Sequence, residues 1–313
     1  MTHHGKGANV EETIQKGTRS RRGMLPKLDL TNRLERTTAM DRTIRALAKA
    51  VRGRLRPGGL RDLLHGVPTG TPAHPPLATA SLGCWVATAV LDATGADPRA
   101  ARTVLVTGLA GAAPAAAAGI TDWSVLHIEQ QRVGFVHAIA NLSAFTLYAG
   151  SLALRLAGRE RGGRLLGYAG LGAASLGGML GGHMAYRQAA GANHAEQVTH
   201  LVPLGWHNLC ELKDLPDGRP VSRRLGYIDL FVLRSGETVT ILADHCSHLA
   251  GPLHQGRLTS EGGVTCVVCP WHGSTFRLSD GKVVHGPATA PQPVFQTRVR
   301  RDGIIQVRPA EQA

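Results

Sequence analysis

The apolar positions of this chain fall into two unlike patterns. From about residue 77 to residue 186 they form long runs with almost no charge. Beyond about residue 200 they form short runs broken by Gly, Pro and Asp. Four long runs stand out. Residues 77–95 are broken only by Asp92, and 103–120 carry Pro114. Residues 133–154 hold no acid or base but His137, and 165–186 none but His183. At about 1.5 Å per residue, about twenty helical residues match the roughly 30 Å of bilayer hydrocarbon. The runs therefore predict a four-helix transmembrane bundle. Buried helices of a soluble protein are the competing reading, because Ala and Gly dominate the runs. Four successive uncharged segments of membrane length weigh against it. In the last run Gly170, Ala174, Gly178 and Gly182 recur every fourth residue. Such a stripe of small residues lets one helix approach another closely.

Upstream, Met40, Ile44, Leu47, Val51 and Leu55 repeat at helical spacing within residues 38–57, and Arg42, Arg45, Lys49, Arg52, Arg54 and Arg56 fill the other side. A basic amphipathic helix of this kind either lies in a membrane headgroup region or packs on its own protein with a solvated charged face. Residues 1–28 are polar and irregular, and are expected to be disordered. Arg21-Arg22 within them superficially looks like a twin-arginine export signal, but no apolar segment follows, so no signal peptide is expected. Downstream of a polar linker, 227–233 and 238–243 flank the turn residues 234–237. Residues 263–268 lead into a loop, and 293–299 and 304–307 flank 301–303. These read as strands and hairpins of an all-β domain.

Counting turns through the bundle puts several polar residues at one membrane face. His74 precedes the first span, Asp122 and His127 follow the second, His137 starts the third, and His183 ends the fourth. The N-terminal segment and the β domain emerge at that face too. Ionisable groups at membrane depth are functional candidates, so these five residues form a candidate haem or quinone site. There Asp122 would orient an imidazole. Histidines resting at the headgroup interface, or bonding between helices, are the bland alternative.

Composition sharpens the picture unevenly. The net charge is +13, and residues 1–73 supply fifteen Lys and Arg against six Asp and Glu. Such a segment suits an anionic lipid surface. Its basic residues are not interleaved with aromatics, so nucleic acid is not an expected partner. Five cysteines, Cys84, Cys210, Cys246, Cys266 and Cys269, are too few and too scattered for a disulfide framework.

The densest chemistry lies in two short stretches, Cys246-Ser247-His248 and Cys269-Pro270-Trp271-His272-Gly273. Each offers one thiolate and one imidazole. Two thiolates on one iron and two imidazoles on another make a Rieske [2Fe–2S] cluster; the same four residues around one ion make a Cys₂His₂ zinc site. The C-x-H spacing favours two metals side by side, since zinc sites more often pair Cys with Cys and His with His. Cys266 forms C-x-x-C with Cys269, but lacks the Pro-x-His-Gly setting, so Cys269 is the preferred ligand.

With Gly251-Pro252-Leu253 after the first loop, these motifs resemble the Rieske iron–sulfur domain over residues 202–313. Residues 66–190 resemble a bacterial four-helix membrane domain of unknown function, through His74-Pro75-Pro76-Leu77, Thr121-Asp122-Trp123 and Gly181-Gly182-His183. The expected architecture is therefore multidomain, α followed by all-β: a basic segment 1–65, a membrane bundle 66–190, a linker 191–201 and a Rieske domain 202–313. One departure is the twenty residues between His248 and Cys269. The polar insert 259–263 is expected to form a longer hairpin tip.

The resemblance implies a [2Fe–2S] cluster on Cys246, His248, Cys269 and His272, tuned by Ser274, Trp271 and Pro287. The imidazole-bound iron would take the electron. In quinol-oxidising Rieske proteins a disulfide joins the two loops; Gly251 and Trp271 stand in its place here. Of the two hydroxyl donors to sulfur in that group, Ser274 is retained and Phe276 replaces the other, which implies a potential toward the ferredoxin end. A ring-hydroxylating oxygenase needs a further iron domain, and only 41 residues follow His272. The expected function is a membrane-anchored single-electron carrier with a redox protein or quinone as partner. A quinol-linked oxidoreductase and a redox sensor are the alternatives. The basic N-terminal part argues for a cytoplasmic Rieske domain, although Arg155, Arg159, Arg161 and Arg164 crowd the opposite face.

Overall fold

A computed structural model of the protein describes residues 27–310. The expectations of disorder and of an export motif fall on residues outside these, except that Lys27 and Leu28 begin a helix. That helix, α1 (Lys27–Arg36), is followed by α2 (Asp41–Arg54), the short α3 (Gly59–His65), and four long helices. These are α4 (His74–Ala93), α5 (Pro98–Trp123), α6 (Ile128–Leu156) and α7 (Glu160–Gly182). Turn chemistry sets the long helices apart. The Asp97 carboxylate accepts from the Arg99 N–H at 2.9 Å, with Pro98 opening α5. At the start of α6, Gln130 Oε1 accepts from the His127 N–H at 2.9 Å. Connections this short force antiparallel neighbours, and α4 packs against α7 to close a four-helix bundle.

The bundle wears its apolar side chains outward. Val90, Leu142, Leu165 and Met179 are exposed on its flanks, while its interior mixes small and polar residues with Trp85, Leu105 and Tyr148. Three of the helices, α4, α5 and α6, are long and apolar enough to cross a membrane. Inside, Tyr148 stacks on Trp85 with ring centroids 4.5 Å apart. A Cβ built on Gly170 would meet the Tyr148 ring at 3.0 Å, and one on Gly177 would meet Asn141 at 2.6 Å. Gly178 and Gly182 face open space. The close-approach face of α7 is thus Gly163, Gly167, Gly170, Ala174 and Gly177, not the strict fourfold stripe. Each i+4 step advances about 40° around a helix of 3.6 residues per turn, so alternating steps of four and three hold the face where repeated fours drift off it.

The end of the bundle away from the β domain is closed by a buried ion pair. The Arg155 guanidinium donates to both Asp92 carboxylate oxygens, at 2.9 and 2.5 Å, and to Ser151 Oγ at 3.1 Å. At the other end, Arg132 donates twice to Asp41 at 2.7 Å, fastening the start of α2. Helix α2 packs on its own protein through Ile44 and Ala48, against Trp123 and Phe135. Leu47, expected on that face, is 44% exposed, because the contact runs along the Ile44–Ala48 edge. The basic residues of α2 stay exposed.

The C-terminal half is all-β. A six-stranded antiparallel sheet has the order β1-β10-β9-β4-β3-β2, and a four-stranded sheet the order β5-β6-β7-β8. The first comprises β1 (His207–Glu211), β2 (Val221–Leu225), β3 (Ile228–Ser235), β4 (Thr238–Ala243), β9 (Val294–Val299) and β10 (Ile304–Pro309). The second comprises β5 (Arg257–Glu261), β6 (Val264–Val268), β7 (Thr275–Arg277) and β8 (Val283–His285). Strand β3 is buried on both faces: Leu230 and Val232 join one core, Phe231 and Leu233 the other. That explains its unbroken apolar run. The polar insert forms the end of a longer hairpin, as expected. Thr259, Ser260 and Glu261 pair in register with Cys266, Thr265 and Val264. Only Gly262 and Gly263 turn, with φ of 59° and 80°, as a two-residue hairpin requires.

Candidate metal centre

Two loops at one end of the smaller sheet carry the candidate ligands. The first leaves β4. The Cys246 N–H donates to the Gly251 carbonyl at 2.9 Å, and the Ala250 N–H to the Cys246 carbonyl at 2.8 Å. Buried Gln292 braces it: Oε1 accepts from the Ser247 N–H at 3.0 Å, and Nε2 donates to the Ala243 and His245 carbonyls at 2.8 and 2.7 Å. Asp244 holds the return of the loop by accepting from His254 N–H at 2.8 Å and from its ring at 2.6 Å. The second loop closes between β6 and β7, with Cys269 N–H to Ser274 carbonyl at 2.8 Å and Gly273 N–H to Cys269 carbonyl at 3.1 Å. Gly273 adopts φ of 80°, a conformation that favours glycine.

These loops bring the four residues together. The Cys246 and Cys269 thiols share a hydrogen bond. That bond and burial raise the Cys246 pKa, while the same bond lowers that of Cys269 to about 7. The His248 and His272 rings stand 5.2 Å apart at 87°. Burial foremost, then the neighbouring His272, depresses the His248 pKa. His272 is lowered to about 4 by burial, then by His127, Arg52 and Arg61. Both imidazoles are thus neutral near pH 7, the form that ligates a metal. His272 Nδ1 is buried without a hydrogen-bond partner, as an atom reserved for a metal would be. A two-iron cluster needs two protein ligands at each iron, and here the two thiols neighbour each other as do the two imidazoles. The donor set fits the cluster.

The surroundings match the tuning residues unevenly. The Ser274 hydroxyl bonds the Cys246 thiol and accepts from the Ala288 N–H at 3.0 Å. Trp271 packs over Gly251, where an added Cβ would lie 2.9 Å from Cys269 Sγ and 3.1 Å from the indole. Pro287 lines a cavity of about 250 Å³ together with His65, Asp122 and His248. Cys266 lies on β6, its thiol directed to the Val264 carbonyl at 3.5 Å.

The five polar residues of the bundle do not gather at one point. His127 joins the metal centre, its ring 6.2 Å from His272 and 5.6 Å from Trp271. Asp122 accepts from His65 Nδ1 at 2.6 Å. His74 and His137 face each other at 6.2 Å, and their Nδ1 atoms bond the Ala115 and Gly177 carbonyls, each at 2.8 Å. His183 bonds Glu35 of α1 at 2.7 Å.

Sequence reasoning missed α3. Its Asp62 accepts from His285 Nδ1 at 2.8 Å and from the Gly286 N–H at 3.0 Å. Arg61 donates to the His272 carbonyl at 3.2 Å. His65, 1% exposed, lies close against Gly286. The one local signal is the bracketing of seven residues by Gly58 and Gly66, both at positive φ.

A small β domain whose two loops each present one thiol and one imidazole, set on the end of a helical bundle, defines a class: an iron–sulfur electron-transfer domain carried by a membrane domain. Comparison with known proteins agrees. Residues 205–296 match the Rieske [2Fe-2S] domain, and residues 70–194 match a predicted membrane protein family, DUF2231. The anthranilate 1,2-dioxygenase ferredoxin subunit of Burkholderia cepacia is 30% identical over 110 residues, 35% of this chain and 97% of that protein. Human apoptosis-inducing factor 3 is 30% identical over 105 residues, 34% of this chain and only 16% of its own length. Among solved structures, the ferredoxin of carbazole 1,9a-dioxygenase from Nocardioides aromaticivorans IC177 aligns at 23% identity, with a TM-score of 0.30 over 34% of this chain and 98% of that one. The chain belongs to the Rieske [2Fe–2S] family through its C-terminal domain, and its cofactor is the Rieske cluster.

Proposed function

We propose that Cys246 and Cys269 hold one iron of the cluster and His248 and His272 the other, and that the protein passes single electrons between a donor and an acceptor at the membrane surface. When bound, the cluster supplies one-electron chemistry at a potential between about −150 and +300 mV. This chain's own residues do the rest. The loops fix the ligand pairs, burial keeps the imidazoles neutral, and Ser274 bonds the Cys246 sulfur. The observation that carries the reading is the seating of the second cluster loop on α3, through Arg61 and the His272 carbonyl. That contact supports an electron site beside one end of the bundle. Helix α7, 23 residues long, is read as the fourth span. The basic N-terminal segment favours the cytoplasmic side for the β domain, and a reporter fused at the C-terminus reads out that side.

One relative that this chain matches along nearly that relative's whole length is a dioxygenase ferredoxin subunit, which favours a protein partner. The cavity lined by His65, Asp122, His248 and Pro287 favours a second reading, in which a quinol is the donor. Stopped-flow reduction of the cluster in nanodiscs separates them. A soluble flavoprotein reductase reducing the cluster without quinol supports the carrier reading. Reduction by a lipid-soluble quinol alone supports the second. Failure of both, in protein that a chemical reductant still reduces, contradicts electron transfer at this surface.

A further inference from the structure

Beside the cavity just described lies a second one of about 390 Å³, between α2, α3 and the second cluster loop. Its lining includes Arg52, Leu55, Arg61, His65, Trp271 and His272. Its charge is one-sided, since no carboxylate lines it. The nearest acids are otherwise engaged: Asp62 takes His285 and the Gly286 N–H, and Asp122 takes His65 and faces the neighbouring cavity. Among the described residues neither Arg52 nor Arg61 has an ion-pair partner. Their hydrogen bonds end on neutral carbonyls, Arg52 on that of Ser124 and Arg61 on that of His272. Arg61 is partly buried, with Asp62 the neighbouring carboxylate that acts on it. A partly buried guanidinium whose neighbouring carboxylate is hydrogen-bonded elsewhere is stabilised by a further anion. A second, independent feature marks the same place. His65 is buried, its Nδ1 is fixed by Asp122, and among the described residues its Nε2 has no hydrogen-bond partner.

We propose that this cavity binds a phosphate group, held by the guanidiniums of Arg52 and Arg61, with His65 Nε2 accepting from a phosphate hydroxyl. Guanidinium forks match phosphate oxygens in charge and geometry, and a cleft lined by one sign of charge concentrates the opposite ion. Two sources share this chemistry: a phosphomonoester lipid headgroup, reached from the adjacent bundle end, and free phosphate. The site adjoins His272, so the bound anion stabilises the more positive, oxidised centre and lowers its potential. Binding itself is independent of which donor or acceptor the protein serves.

The test uses the detergent-purified holoprotein in chloride-poor buffer. Calorimetry with inorganic phosphate is expected to show single-site binding. Arg61→Gln and Arg52→Gln should each weaken it about tenfold, from the loss of one charge-assisted hydrogen bond. Arg54→Gln, on the exposed side of α2 and outside the cavity, should bind as the wild type does. In the lipid arm, the protein sits in phosphatidylcholine nanodiscs with or without phosphatidic acid, and the cluster midpoint is titrated. A midpoint lowered by phosphatidic acid in wild type but not in either cavity variant assigns the lipid source. A midpoint lowered only by free phosphate assigns the soluble one. No binding or shift in either arm overturns the proposal, as does an equal loss in Arg54→Gln, which reduces the effect to general surface charge. Calorimetry reads the site even if the cluster assignment fails.

Discussion

Asp62 and His285 meet at 2.8 Å across 223 residues of sequence, joining α3 of the helical half to the end of β8. The same carboxylate takes the Gly286 N–H at 3.0 Å, so one buried side chain secures both the end of β8 and the residue that follows it. Removing it leaves two donors unsatisfied, each at a cost of about 1–3 kcal/mol. Asp62→Ala is expected to loosen the seating of the β domain while leaving its fold intact. Hydrogen exchange should show Gly286 losing protection while the β3 and β4 amides keep theirs. Unchanged protection at Gly286 would contradict this role for Asp62.

Much of the fold was legible in the sequence because its signals are local. The uncharged runs mark the long helices, and the unbroken apolar stretch around Leu230 to Leu233 marks a strand buried on both faces. The cluster motifs are short and their turns are set by nearby Gly and Pro. What local pattern could not carry was the junction. Helix α3 has seven residues, too few for a periodicity. Its partners lie on a loop far along the chain, and no spacing rule connects Arg61 to the His272 carbonyl. The histidines at the bundle end were found by counting turns, but counting gives height and not azimuth. That is why His74 and His137 meet while His183 goes to Glu35 and His127 to the metal centre.

The helix-contact face of α7 gives a paired test. Gly170→Leu drives a side chain into the Tyr148 ring, already 3.0 Å from a bare Cβ. It should cost about 1–3 kcal/mol by overpacking. Gly178→Ala, facing open space, should stay within about 0.5 kcal/mol. Thermal unfolding in detergent measures both. Equal effects would mean that α7 is rotated from the arrangement described.

At the far end of the bundle, Arg155 and Asp92 are 0% and 3% exposed. Breaking a buried pair strands its partner, so Asp92→Ala should destabilise by about 3–5 kcal/mol. Replacing both residues with Leu removes the stranded charge and should recover most of that loss. If the double variant is no better than the single one, the pair's wider bonding to Ser151 and Arg164 dominates instead.

Ser274 bonds the Cys246 sulfur, whereas Phe276 has no hydroxyl to give. A donor to sulfur stabilises the reduced centre, so Ser274→Ala should lower the midpoint potential and Phe276→Tyr should raise it. Protein-film voltammetry reads both signs directly. A shift in the opposite direction for Ser274→Ala would contradict its role as donor.

Electron transfer by this protein requires Cys246, Cys269, His248 and His272 to share one two-iron cluster. The most direct test is pulsed electron paramagnetic resonance of the reduced, detergent-purified protein, with iron and acid-labile sulfide assayed on the same sample. The expected result is a single [2Fe–2S] spin system coupled to the nitrogens of two imidazoles, with one of those couplings lost in His272→Cys. A spin system without nitrogen coupling, or a sample holding zinc in place of iron and sulfide, would contradict it.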